Sequence, residues 1–388
     1  MTTAAFRLHT ETYCGVGSSR QIGSFMASKG IRKVAILVDE GVRKQSAYYG
    51  EVYGYIADNA SELYELTLRG SEEPDYDYLD DVARRIRFLS GVDVLVGIGG
   101  GSCLDIMKGA AILATNAGRG IDYRGFDKVA NPGIPTIAVP TTAGTGSEAT
   151  INAVFTDKKE MKKLGINGRY MNATYAFLDA EWTLSCPRFV AVSAGMDALV
   201  HSLESFMCRQ HTMMTRIYSR EAFRILYENL PAIVDDPHNK EKRQQLLLGS
   251  YLAAVALFNS GSGISGAFSY PLGVHYKIPH GIGGGIFLPA VIEYNVSHGY
   301  SDFRELLDMV EYRQDLDVVG KNVRFAESIR RLSRKLGVPE DLGQWGLGID
   351  HLEEIVGLVQ PLQAAFDQNP LPFSAEKDAR QILMKFLR

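Results

Sequence analysis

Asp197, His201 and Glu204 are spaced four and three residues apart in AGMDALVHSLESF, where Met196, Leu199, Val200, Leu203, Phe206 and Met207 recur with helical spacing. On a helix the three polar side chains share one face, distinct from the apolar one. A carboxylate and an imidazole so placed suit a divalent cation, although the same spacing also describes a polar stripe facing water. A further ligand must come from elsewhere. His280 in IPHG, held in a turn by Pro279 and Gly281, is the natural supply. Asp197, His201 and His280 are therefore the candidate ligands of a zinc or iron ion that keeps positions open for substrate. His275 lies five residues earlier in the same run, GAFSYPLGVHYKIPHG, which its glycines and prolines mark as loop-like. The remaining histidines, His9, His211, His238, His298 and His351, sit in unrelated contexts and are read as surface or core residues.

A second constellation suits an anion. VGIGGGSCLDIMKG places Gly99, Gly100, Gly101 and Ser102 between a strand and a helix, so that backbone N–H groups and a helix N-terminus face whatever lies above the turn. Taken alone, three glycines also describe a tight turn with no ligand. PTTAGTGSEAT adds Thr141, Thr142, Thr145 and Ser147 at the same strand edge, with hydroxyls able to donate to phosphate or ribose oxygens. Asp39, closing the strand KVAILVD, would accept from ribose hydroxyls and repel a 2′-phosphate, which favours NAD over NADP. A nucleotide-hydrolysing P-loop is excluded by pattern, since Lys108 lies well inside the following helix.

These residues need elements to hold them. KVAILVD, DVLVGIG, TIAVP and YAFLD are short apolar runs, separated by stretches of helical periodicity such as YLDDVARRIRFL and CLDIMKGAAILATN, which predicts a parallel α/β sheet. From about Leu184 only helical patterns follow. The 388 residues thus divide into an α/β dinucleotide-binding domain over 1–185 and a helical metal-binding domain over 186–388, with a crevice between the halves as the expected ligand site. A net charge of -4 gives no general reason to bind nucleic acid or an anionic membrane. No stretch reaches the ~20 apolar residues of a membrane span, and the N-terminus lacks a basic segment followed by an apolar run. The four cysteines form no CxxC pair, so reduced thiols and a cytoplasmic location are expected.

Taken in order, VGIGGGSCLDIMKG, PTTAGTGSEATIN, FLDAEWTLSCP, AGMDALVHSLESF, NSGSGISGAFSYPLGVHYKIPHG and FDQNPLPFSAEKDARQIL resemble the iron-containing (group III) alcohol dehydrogenase family, itself related to glycerol dehydrogenase and dehydroquinate synthase. The resemblance implies a dinucleotide-binding domain, a helical domain and a metal in the cleft between them. It puts Asp39, Gly100, Gly101, Ser102, Thr141, Thr142 and Thr145 on cofactor positions, and Asp197, His201 and His280 on metal-ligand positions. Homodimers are common in the family.

The chain departs from the family pattern at two places. Gly266 stands where a histidine ligand is usual, and Tyr270 where a second histidine, thought to assist proton movement, is usual. The ligand set is thereby reduced to three unless His275 replaces the lost imidazole. The expected activity is hydride transfer between NAD and a substrate hydroxyl, with Tyr270 and His275 as candidate proton relays. Ser262, Ser265, Ser269, Tyr270 and Lys277 form a polar set that points to a polyol or sugar acid, Lys277 being a candidate carboxylate partner. Within the family, the branch that oxidises 3-deoxy-D-manno-octulosonate, a lipopolysaccharide sugar, fits that lining, and phosphonoacetaldehyde reduction is another branch with an anionic substrate. The alternatives are a cyclase of the dehydroquinate-synthase type and a relative that binds nucleotide without turnover.

Overall fold

The computed structural model describes residues 5–70 and 73–388, so the reading of the extreme N-terminus falls partly on residues outside the described ones. Nine strands are present among the described residues: β1 Glu11–Cys14, β2 Lys33–Asp39, β3 Glu62–Leu68, β4 Val94–Gly99, β5 Gly125–Phe126, β6 Thr136–Pro140, β7 Asn152–Asp157, β8 Lys162–Asn167 and β9 Tyr175–Leu178. Six of them form a sheet in the order β1-β9-β6-β4-β2-β3, parallel at every pairing. Its central strands are apolar at successive positions because both faces are covered. Ala35, Leu37 and Leu95 join one core, whereas Val34, Ile36, Val38, Val94, Val96 and Ile98 join the other. The period of two thus splits each strand between two hydrophobic layers.

That order reverses direction at β2 and β4. From β2 the chain passes to β3 on one side, and from β4 it passes to β6 on the other. In open α/β sheets this switch point opens a crevice outside the carboxyl ends of the strands. Asp39 closes β2, Gly99 closes β4, and Thr141 follows β6. A second sheet, β5-β8-β7, includes an antiparallel hairpin of β7 and β8. This hairpin is an addition to the all-parallel arrangement expected from the sequence.

By internal contacts the chain divides into two compact units. One comprises Leu8–Pro187 with His238–Tyr251, and the other holds Arg188–Pro237 and Leu252–Arg388. The division is therefore not a single cut, because one continuous helix, Lys240–Ser260, contributes its first half to the unit with the sheet. No strand occurs after β9 among the described residues, and no single helix is long and apolar enough to cross a membrane.

Three helices of the second unit carry the candidate ligands and their support: Arg188–Met207, Ile264–Tyr276 and His280–Ser297. The run from Gly266 to Gly281, read as loop-like, is mostly helix, with Pro271 inside one helix and Pro279 at the cap of the next. Burial explains the override. Residues 264–269 and 281–292 are buried, and small residues let these helices approach closely, a gain that outweighs the weak intrinsic preference of glycine and proline for helix. At Gly281 a side chain would meet the Ser193 carbonyl oxygen at 1.9 Å, so only glycine permits the observed contact with the Arg188–Met207 helix.

Candidate metal centre and cofactor turn

Asp197 and His201 are one helical turn apart on Arg188–Met207, and His280 is the first residue of His280–Ser297. Their side chains converge. Asp197 Oδ1 lies 3.5 Å from His201 Nε2 and 3.7 Å from His280 Nε2, and one ligand atom from each residue falls within 4.8 Å of the others. Ligand atoms bonded at ~2.1 Å to a tetrahedral ion stand ~3.4 Å apart, so the set needs only small adjustment to hold a cation. His201 Nδ1 is buried without a hydrogen-bond partner, an orphaned polar atom of the kind that marks a ligand-holding side chain. The donor set of one carboxylate and two imidazoles suits iron or zinc.

Glu204 does not join this set, although its spacing placed it on the same face. Its carboxylate is buried and faces the start of the Ile264–Tyr276 helix. Oε2 accepts from the Gly263 N–H at 2.8 Å, and Oε1 accepts from Ser265 at 2.6 Å and Gly266 at 3.2 Å. It thus satisfies N–H groups that the helix start would leave orphaned. Burial lifts its carboxyl to about 7, against the opposing pull of these three donors. The water-facing stripe is equally excluded here, because Asp197 and Glu204 are both buried.

Of the residues assigned to proton transfer and substrate, Tyr270 borders the centre, with its ring 4.9 Å from that of His280. His275 does not join the converging ligands; it is exposed and its ring lies 6.3 Å from that of Tyr276. Six positions beyond Ser269 on one helix, it is rotated about 120° away from the face that meets His280. Lys277 ends that helix in the left-handed conformation, and its ammonium donates to the Val274 carbonyl. The polar lining expected of the sequence is accordingly narrower, with Ser269 buried against His280 and Lys277 folded back on its own helix.

At the sheet edge the glycines form the expected strand-to-helix turn. Gly99 ends β4, Gly100 caps the helix Gly101–Thr115, and Ser102 is exposed in its first turn. A side chain at Gly101 would meet Thr145 at 2.5 Å, and one at Gly100 would meet Thr142 at 3.3 Å. The two turns are therefore packed on each other and present a single surface. Thr141 is buried, with its N–H donating to the Gly99 carbonyl, whereas Thr145 is exposed. Asp39 Oδ1 accepts from the Gly41 and Val42 N–H groups, and neither bond uses Oδ2.

Sequence reasoning missed what holds the second turn. Ser147, expected to meet phosphate, instead donates to Asp105 and is buried. Lys108 is 2% exposed, and its ammonium donates to the carbonyls of Ser147, Thr150 and Asn152, with Asp105 Oδ1 3.6 Å away. Burial draws the ammonium below the usual lysine range and Asp105 above that of a carboxylate. The available signal was the spacing of three between Asp105 and Lys108 on an otherwise apolar helix.

Known proteins carry the same fold and segments. The family described as iron-containing alcohol dehydrogenase matches residues 9–180, and the Fe-containing alcohol dehydrogenase family, C-terminal, matches 191–386. An NAD-dependent methanol dehydrogenase of Bacillus methanolicus is 30% identical over 67% of this chain and 69% of its own. A sulfoacetaldehyde reductase of Bilophila wadsworthia is 38% identical over 49% of each chain. The crystal structure of a 1,3-propanediol oxidoreductase superposes with a TM-score of 0.90 at 25% identity, covering 98% of this chain and 99% of that one. With both halves matched, and with a cation-ready centre in one unit and a dinucleotide-type turn in the other, the chain belongs to the iron-containing alcohol dehydrogenase family.

Proposed function

We propose that this NAD-dependent alcohol dehydrogenase acts on a small polar substrate that offers two oxygens to the centre, as a vicinal diol, polyol or sugar acid does, 3-deoxy-D-manno-octulosonate among them. The observation that carries the reading is the convergence of three candidate ligands, Asp197, His201 and His280, with glycine at 266. These three residues would hold a divalent iron or zinc ion, whose Lewis acidity would act on a substrate hydroxyl, with NAD as the hydride acceptor. Asp197 contributes the only formal negative charge among the three ligands. The Tyr270 Oη, on a ring beside His280, is the group to take and pass on the hydroxyl proton. His275 and Lys277, outside the converging set, serve at most as outer contacts to a larger substrate.

On the cofactor side, the N–H groups of Gly100, Gly101 and Ser102 would hold the pyrophosphate, helped by the helix N-terminus. Thr142 and Thr145 contribute hydroxyls, while Thr141 fixes the second turn. Asp39 would accept from the adenosine ribose, and its charge would disfavour a 2′-phosphate. Reaction at the carbonyl level is supported by the sulfoacetaldehyde reductase, whose named substrate pairs an aldehyde with an anionic group. Four free cysteines, two of them buried, are in keeping with a reduced cytoplasmic setting, and a homodimer is the assembly the reading assumes.

The test is a screen of alkanols, diols, polyols and sugar acids with NAD and with NADP, following NADH absorbance. Diols or hydroxy acids should give the highest kcat/KM, and Asp39→Ala should narrow the preference for NAD. Faster oxidation of simple alkanols would overturn the two-oxygen substrate. Tighter binding of NADP would overturn the role of Asp39.

A further inference from the structure

Ser269 is buried on the Ile264–Tyr276 helix, where it meets the first residue of the next helix. Its Oγ lies 2.6 Å from the Gly266 carbonyl oxygen and 2.7 Å from His280 Nδ1, against 3.5 Å from His280 Nε2. A hydroxyl has one proton to give, and a carbonyl oxygen can only accept. The Ser269 proton therefore goes to Gly266, and Oγ turns a lone pair towards His280. A neutral imidazole that meets an acceptor at Nδ1 carries its proton there. Nε2, the nitrogen 3.7 Å from Asp197 Oδ1, then carries a lone pair and not a proton.

We propose that Ser269 is a positioning residue that selects the Nδ1–H tautomer of His280 and so keeps Nε2 ready to bind a cation beside Asp197 and His201. The inference rests on the metal reading given above. The selection is needed because the Asp197 carboxylate would otherwise draw the imidazole proton onto Nε2, where it blocks the ligand lone pair. His201 has no comparable partner, its Nδ1 being buried and unpaired, so the control of tautomer falls on His280. Gly283 contributes by leaving room. A side chain there would stand 3.2 Å from Ser269 Cβ, and its absence lets the two helices approach closely enough for the hydroxyl to reach the ring. Hydrogen bonds of this kind from the non-ligating nitrogen of a metal-binding histidine tune affinity by roughly 10- to 100-fold.

The experiment titrates Zn²⁺ or Co²⁺ into metal-free protein against a competing chelator, for the unaltered chain and for Ser269→Ala, His280→Ala and Ser202→Ala. Ser202 is a matched control, since its hydroxyl donates to the carbonyl three residues back, Leu199, just as Ser269 does to Gly266, but meets no imidazole. Ser269→Ala should weaken the ion by roughly 10- to 100-fold and Ser202→Ala should not. Nitrogen NMR of the metal-free chain should show His280 protonated on Nδ1, shifting towards Nε2–H in Ser269→Ala. Unchanged affinity in Ser269→Ala alongside loss in His280→Ala would overturn the role of Ser269 and leave the metal centre standing. A His280 that carries its proton on Nε2 in the unaltered chain would overturn it as well. Equal affinity in all four proteins would overturn the metal centre itself, and this inference with it.

Discussion

Glu204 is the side chain on which spacing and surroundings part company. At 100° per residue, positions 197, 201 and 204 fall within about 60° of one another, so the pattern correctly puts them on one face. What that face meets at each level is a property of the neighbouring helix, which no local pattern encodes. Asp197 meets two imidazoles, whereas Glu204, two turns on, meets three N–H groups. Glu204→Ala should therefore cost about 3 kcal/mol, read as a lower urea midpoint, because it leaves those donors buried and unpaired. The carboxyl also makes stability depend on pH. Its ordinary value of 4.5 rises to about 7 on folding, so the native state holds the proton more tightly than the unfolded chain. That contribution is complete below 4.5 and is lost as pH rises through 7, about 3 kcal/mol in all. Urea unfolding at about pH 5 and about pH 8 should show a smaller difference in Glu204→Gln than in the unaltered chain.

Among the elements, the strands of the main sheet were the most legible. β2 and β6 coincide with the runs KVAILVD and TIAVP, because a parallel strand covered on both faces must be apolar throughout. The β7–β8 hairpin was obscured by its polar positions and by the charged run DKKEMKK, which spans the turn and the strand ends beside it. The stretch from 266 to 281 was misread for the opposite reason. Its glycines and prolines signal turns when exposed, but here they are packed between helices, where the absence of side chains is what brings His280 to Asp197. Gly281→Ala makes the point testable. The added methyl would lie 1.9 Å from the Ser193 carbonyl oxygen, so the helices must separate. A loss of roughly 1–3 kcal/mol in stability is expected, the order known for overpacked cores, together with weaker metal binding in whatever fraction folds. Thermal melts and chelator competition check both effects, and an unperturbed site would show that the contact does not position His280.

For the whole molecule, the order of segments made the family and the candidate ligands legible, while the convergence of those ligands is a tertiary property. Asp197 and His280 are 83 positions apart in sequence and meet only through helix packing. Ligands that bind only the native state stabilise it by mass action, by about 2.7 kcal/mol at a hundredfold excess over Kd. Saturating Zn²⁺ or Fe²⁺ should accordingly raise Tm, a chelator should reverse the rise, and His201→Ala should show neither change. A thermal-shift series checks all three. NAD should add its own increment in the His201→Ala protein, because the residues proposed to bind it lie at the sheet edge and do not include the three candidate metal ligands.

The amino group of Lys108, ringed by the carbonyls of Ser147, Thr150 and Asn152, sits as a potassium or ammonium ion would in a loop that needs one. Here the cation is tethered to the backbone and cannot be lost by dilution or exchanged for sodium. The shape of the PTTAGTGSEAT turn should therefore be indifferent to which monovalent salt is present, and NAD affinity should be the same in sodium, potassium and ammonium chloride at equal ionic strength. Lys108→Ala would turn an internal fixture into an empty socket, leaving the carbonyls to recruit an ion from solution. In that variant NAD binding should weaken and recover selectively with ammonium or potassium, a dependence that fluorescence titration would expose and that the unaltered protein has built out of its chemistry.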